Sequence, residues 1–146
     1  MKKNKSNGKL KEYGIFIVLL TICSIYSTAF KSYKGGPRPP WVAPTAASAV
    51  ANPLKGNVSA TDAGKKTYTT YCVVCHGNKG KGDGLAASGL QVQPADHSSA
   101  KVQAQQDGAL FWKMSEGRSP MPPYKGVLNE TQRWQLVNYI RTLAKH

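Results

Sequence analysis

The sequence predicts an all-α domain threaded with long loops, and three observations carry that expectation. Three segments in the C-terminal part place apolar residues at helical spacing behind helix-start signals. No segment alternates apolar and polar residues over the length a half-buried strand needs. Glycine and proline, 14 and 9 among 146 residues, gather between the helical segments and set them apart as separate elements.

In chain order, residues 1–34 read as a signal or membrane anchor. Five lysines in the first 12 residues stand against Glu12 alone, and the uncharged run "YGIFIVLLTICSIYSTAF" follows. Its 18 residues lie near the lower limit of about 17–25 for a spanning helix, and the basic flank marks the cytoplasmic side. The expectation is an inner-membrane anchor with the later domain in the periplasm. Small residues at Ser27-Thr28-Ala29 keep open the alternative of cleavage and a soluble periplasmic protein. Cys23, inside the run, reads as a buried apolar residue, because bulky Ile22 precedes it where lipid modification wants a small one.

Residues 35–57 read as a linker. Pro37, Pro39, Pro40, Pro44 and Pro53 exclude regular helix, and the alanines and serines between them offer no core face. Trp41 keeps two placements, at a membrane interface or against the domain.

Residues 58–146 read as the working domain. A first helix is expected from Ser59, with Asp62 completing a capping-box pattern, and it carries Gly64, Tyr68 and Tyr71 on one face. The glycines of "GNKGKGDGLAASGLQVQPADHSS" announce a loop. A second helix is expected from Asp107 in "DGALFWKMSEG", and the prolines of "RSPMPPY" then exclude regular structure. The last helix opens at Asn129 with Gln132 as its reciprocal cap, and carries Leu136, Tyr139, Ile140 and Leu143 at helical spacing.

The net charge of +13 is unevenly placed: five lysines face one acid in the first 12 residues, and from Pro53 onward twelve basic residues face six acidic ones. They are scattered and accompany no nucleic-acid-binding motif, so no nucleic-acid partner is expected. A membrane surface or an acidic protein partner fits the surplus.

The chemistry is concentrated in "YCVVCHG". Cys72 and Cys75 stand three apart with His76 next, and the only other cysteine is Cys23, so no disulfide framework exists. A redox thiol pair belongs beside a βαβ pattern, which is missing here. A zinc site needs four ligands, and His97 and His146 lack the spacing to complete one. Covalent haem attachment accounts for all three residues: two thiols form thioethers across one edge of the ring, and the adjacent histidine becomes the proximal iron ligand. A ring of that size would also enlarge the small core of a loop-rich domain. Phe111, Trp112, Trp134 and Leu136 are candidates to pack on it, or else ordinary helix–helix core. For the second axial position the candidates are Met121, Met114 and His97, with an open site as the remaining alternative. Met121 is favoured because its flanking prolines stiffen the turn. Met114 reads as core packing and His97 as a solvated loop residue.

With "YCVVCHGNKGKGDG", "DGALFWKMSEGRSPMPPY" and "RWQLVNYIRTL" in this order and spacing, the chain resembles the class I c-type cytochromes over residues ~58–144. The resemblance implies the class I fold around one haem c bound through Cys72 and Cys75, with His76 and Met121 as axial ligands. It also implies that the Pro94 carbonyl receives the N–H of His76, and that Gly64, Tyr68 and Tyr139 meet where first and last helices cross. The stretch "QVQPADHSSAKVQAQQ" is longer and more polar than in the smallest members. The implied function is one-electron transfer in a respiratory chain rather than enzymatic turnover. The partners would be a quinol-oxidising complex upstream and a terminal oxidase or reductase downstream. The alternatives are a haem-bearing subunit of a larger membrane oxidoreductase complex, or a peroxidase or gas-binding haem protein. Lys79, Lys81, Lys113 and Lys125 lie near the segments expected around the haem edge and are candidates to steer an acidic partner.

Overall fold

The computed structural model describes residues 38–145. The chain divides into two units, Met1–Pro40 and Trp41–His146. The second contains α1 (Thr45–Ser48), α2 (Val58–Tyr71), α3 (Val73–His76), α4 (Ala100–Gln103), α5 (Asp107–Glu116) and α6 (Glu130–Thr142), with 3-10 turns at Ala87–Gly89 and Leu143–Lys145. Among the described residues there is no strand, only an isolated bridge between Arg118 and Met121. The fold is all-α, as the sequence predicts.

Each long helix has a local cause. α2 is capped by Asn57, whose side chain accepts from the Ala60 amide at 2.9 Å, so Ser59 lies inside the first turn instead of capping it. Asn57 has the extended backbone that aims a side-chain oxygen at an orphan amide. α5 begins at Asp107 and stops at Gly117, whose φ of 64° turns the chain out of the helix. α6 carries the complete capping box: Asn129 Oδ1 accepts from Gln132 N at 2.9 Å, and Gln132 Oε1 from Asn129 N at 3.0 Å.

The core forms where α2 crosses α6. Gly64 makes the crossing possible, because a Cβ there would lie 2.0 Å from the Gln135 carbonyl oxygen. Tyr68, Leu136, Val137 and Leu143 are fully buried around it, and Trp134, Ile140, Met114, Leu110, Leu128 and Val102 extend the cluster. Tyr139 meets Tyr68 edge-on, with ring centres 5.0 Å apart. Tyr71 departs from that face; it is exposed and pairs edge-on with Tyr124.

The stretch expected to be a linker over 35–57 is instead folded onto the domain from Trp41 onward. Ala43 is buried, and Trp41 lies beneath Lys113, whose ammonium is 5.6 Å from the ring centre. The carbonyls of Ala47, Ser48 and Val50 close on the start of α5 so tightly that a Cβ at Gly108 would lie 2.3–2.8 Å from them. Asn52 donates to Asp107 at 3.0 Å and to Asn138 at 2.8 Å, and Asp107 also pairs with Arg141 at 2.6 Å. Prolines forbid a long helix but not packing, and alanine and glycine let backbones approach closely.

The expected inner-membrane anchor and periplasmic placement are corrected. Among the described residues no helix is long and apolar enough to cross a membrane. The longest, α2, has 14 residues and spans ~21 Å against a hydrocarbon core of about 30 Å. The run at 13–30, with Cys23, lies outside the described residues.

Candidate functional site

The cysteine motif sits on a helix break. Cys72 closes α2, its amide bonded to Tyr68 O at 2.9 Å, and it also opens the single turn of α3. Cys75 N bonds to Cys72 O at 3.2 Å, so the two sulfurs are one helical turn apart and share a face. Neither is in a disulfide; both are half-buried. Burial, then the neighbouring Cys75, pushes the Cys72 thiol up to about 12. A thiol held neutral in that way is a poor nucleophile or metal ligand, whereas a thioether carries no charge to desolvate.

His76 is 8 % exposed. Its Nδ1 lies 3.0 Å from the Ala95 carbonyl, which can only accept, so Nδ1 carries the proton and Nε2 keeps its lone pair. Burial lowers the His76 pKa, opposed by that carbonyl contact, and the ring is neutral. Gly77 ends α3 directly after the histidine with φ 76°, and a Cβ there would lie 1.9 Å from Asp83 Oδ1. The glycine-rich loop then folds back over the motif. Gly82 N bonds to His76 O at 2.9 Å, Gly84 N to Cys75 O at 3.1 Å and Ala86 N to Val74 O at 2.8 Å.

Pro94 does not have the role the resemblance implies. The acceptor for His76 is Ala95, one residue on, while the Pro94 carbonyl faces Gly82, where a Cβ would lie 2.4 Å from it.

Met121 lies half-buried against the core cluster, in a turn closed by Arg118 N to Met121 O at 2.9 Å and Met121 N to Arg118 O at 3.0 Å. A depression of about 250 Å³ surrounds this turn. Tyr124 ties it to the cysteine motif: its hydroxyl donates to Tyr71 O at 3.1 Å and its amide to Met114 O at 3.1 Å. Burial, with the thiols of Cys72 and Cys75 next in order, pushes the Tyr124 phenol up to about 12. Tyr124, three residues after Met121, thus reaches the end of α2 across 53 positions of the chain. Trp134 lies between α5 and α6, stacked on Phe111 at 4.0 Å, with the Arg133 guanidinium 4.6 Å from the Phe111 ring. Arg133 Nε is buried without a hydrogen-bond partner in the described structure.

His97 is the residue that sequence reasoning missed. Instead of being solvated, it stacks on His76 with ring centres 4.0 Å apart and planes 17° from parallel. Burial, then the His76 ring, pushes its pKa down to about 3, so it is neutral. Nothing in the local pattern "PADHSS" distinguishes it from a surface histidine.

The donor set fits a haem. Two cysteines one helical turn apart would offer attachment, and a buried imidazole with its lone pair fixed on Nε2 would offer an iron ligand. The orphaned Arg133 donor suits an anionic substituent of the ring. Among the described residues no group of three or more His, Cys, Asp or Glu is placed to hold a bare metal ion.

Residues 59–140 match the family described as "Cytochrome C oxidase, cbb3-type, subunit III". No curated protein matches the sequence. Among solved structures the chain is similar to one titled "Kuenenia stuttgartiensis reducing HAO-like protein complex Kustc0457/Kustc0458". The identity is 27 %, the TM-score 0.56, and the match covers 76 % of this chain and 52 % of the other. The chain therefore spans about half the length of that protein. A second similar structure is titled "KustC0563 c-type cytochrome", with 29 % identity, a TM-score of 0.48, and coverage of 55 % of this chain and 95 % of the other.

Proposed function

Because the chain belongs to the c-type cytochrome family described as cytochrome C oxidase, cbb3-type, subunit III, we propose that it carries single electrons in a respiratory chain. The proposed domain carries one haem c, joined to Cys72 and Cys75 and ligated by His76 and Met121. The observation that carries this reading is the pairing of two thiols on one helical face with a buried imidazole whose Nδ1 is tied to Ala95. When bound, the haem supplies Fe(III)/Fe(II) chemistry, and histidine–methionine ligation favours the reduced state. The protein's part is to hold the geometry. Ala95 fixes the tautomer of His76, as partners behind a metal ligand do. The Tyr124 contacts hold the Met121 turn against the end of α2, and Trp134 and Phe111 supply apolar wall. A denaturing gel of the full chain stained for haem, read beside its reduced visible spectrum, tests the reading. An unstained band would end it.

Met121→Ala is expected to leave the haem attached and open one face of the iron. Carbon monoxide should then bind the reduced variant and not the wild type, read as a shift of the main visible band. Uptake by both proteins would favour the peroxidase or gas-binding reading, and uptake by neither would remove Met121 as ligand.

Of the four candidate steering lysines, Lys125 is paired with Glu116 at 2.8 Å, and Lys113 is half-buried over Trp41. Exposed Lys79, on the loop that follows the motif, is the better candidate for drawing in an acidic redox partner, while Lys81, exposed on the same loop, donates to Ser98 Oγ at 2.5 Å. The transfer rate to such a partner is expected to fall several-fold as ionic strength rises from about 0.01 M to 0.15 M. A flat profile would remove steering.

A second reading, that the chain serves as a haem-bearing subunit of a larger oxidoreductase, is favoured by two descriptions. The matched family is named for an oxidase subunit, and a similar structure is titled as a protein complex. Native electrophoresis of untreated material separates the two: a haem band migrating alone supports the carrier, and one migrating with other chains supports the subunit.

A further inference from the structure

We propose that His97 is a positioning residue for the His76 ligand: its imidazole, stacked on that of His76, sets the rotation of the ligand ring about its Cβ–Cγ bond. The inference rests on the haem reading and adds a residue to it. A single hydrogen bond from His76 Nδ1 to Ala95 O fixes the tautomer but still lets the ring rock about that contact. A flat partner 4.0 Å away and 17° from parallel removes that freedom, because a rotated ring would collide with it.

His97 can do this because it is itself held at three points. Its amide donates to Gly80 O at 2.6 Å, its carbonyl accepts from Gln103 Nε2 at 2.6 Å, and its Nδ1 lies 3.3 Å from the Tyr68 hydroxyl. Tyr68 has one proton and lies 3.2 Å from the Gly77 carbonyl, which can only accept. The phenol therefore donates to Gly77, and His97 Nδ1–H donates to the phenol oxygen. The chain of donors runs from the His97 ring through Tyr68 to the residue directly after His76. One network holds the backbone beside the ligand and, through the stack, the ligand's ring. Gly80 leaves it room, since a Cβ there would lie 3.0 Å from His97 Cβ and 2.8 Å from Leu143 Cδ1. Filling this space would need only an apolar side chain. A buried imidazole with a hydrogen-bonded ring nitrogen also specifies an orientation.

The orientation of the ligand plane sets how imidazole π orbitals mix with the iron d orbitals, and electron paramagnetic resonance of the oxidised protein reads it directly. The full, haem-loaded chain is compared as wild type, His97→Leu, His97→Phe and Tyr68→Phe. His97→Leu keeps volume without a flat ring, and it is expected to shift the largest g value and broaden the low-spin signal. His97→Phe, which restores a flat ring, is expected to return the signal toward wild type. Tyr68→Phe, which frees the His97 ring, should broaden the signal by less. A wild-type signal in His97→Leu with haem attached would overturn the proposal, as would lowered thermal stability with unchanged g values. If His97→Leu does not mature, an unchanged signal in Tyr68→Phe overturns it and a broadened one supports it. Absence of attached haem in the wild type would instead be a failure of the functional reading.

Discussion

Replacing both motif thiols, Cys72→Ala with Cys75→Ala, is expected to abolish the haem-stained band on a denaturing gel while the polypeptide remains detectable by antibody. The two C–S bonds are the only links to the ring that survive denaturation; axial ligation and packing do not. Each single variant should keep one thioether and a weaker stained band. The same preparations, weighed by mass spectrometry, should show one haem mass added to the wild type and none to the double variant. Full staining of the double variant would place the attachment elsewhere and remove the basis of the functional reading.

The second large effect concerns the fold. Gly64→Ala is expected to destabilise the domain by about 2–3 kcal/mol, and Gly64→Val by more, measured as a fall in the thermal midpoint of the haem-loaded protein. The sign is informative. In an exposed helix, glycine to alanine is favourable by roughly 0.5–1 kcal/mol, because glycine loses more backbone entropy on folding. Here the added Cβ would lie 2.0 Å from Gln135 O and 2.5 Å from Gln135 C, both backbone atoms of α6 that no rotamer change can move aside. The helices must separate, loosening the packing around Tyr68, Leu136 and Val137. For a domain near 100 residues a loss of ~3 kcal/mol corresponds to about 12–24 °C in midpoint. A midpoint equal to or above that of the wild type would mean that α2 and α6 do not cross at Gly64.

The elements legible in the sequence were those whose signal is local. The start of α5 at Asp107, its stop at Gly117 and the capping box at Asn129 and Gln132 each depend on residues within one helical turn of the boundary. The cap of α2 was misplaced because Ser59–Asp62 and Asn57 offer competing start signals two residues apart, and the observed backbone at Asn57 favours the latter. The turn at Ala100–Gln103 went unseen inside a polar stretch, although Ser99 caps it through Val102 N at 3.4 Å.

The site divides in the same way. Cys72, Cys75 and His76 stood out because their chemistry follows from spacing along the chain, and the glycines after them announced a loop that must fold back closely. The acceptor for His76 could be counted only to within one residue. Ala95 takes the place expected of Pro94 because loop register depends on contacts such as Gln93 Nε2 to the Gly82 carbonyl, made across 11 positions. Trp41 and the residues after it read as a tether because proline content speaks against helix and is silent about packing. Their attachment depends on Gly108, Asp107 and Asn138, more than 50 positions away.

By itself, the amino-acid sequence determined the all-α class, the helix boundaries at Asp107, Gly117 and Asn129, and the spacing of Cys72, Cys75 and His76 on which the proposed chemistry rests. Each is a property of neighbours on the chain. Tertiary structure alone decided which carbonyl holds His76, that His97 stacks on it, that Tyr124 brings the Met121 turn to the end of α2, and that the domain begins at Trp41. These outcomes depend on close approach between segments far apart in sequence, where a single buried ring or hydrogen bond selects one register among several that local propensity leaves equal.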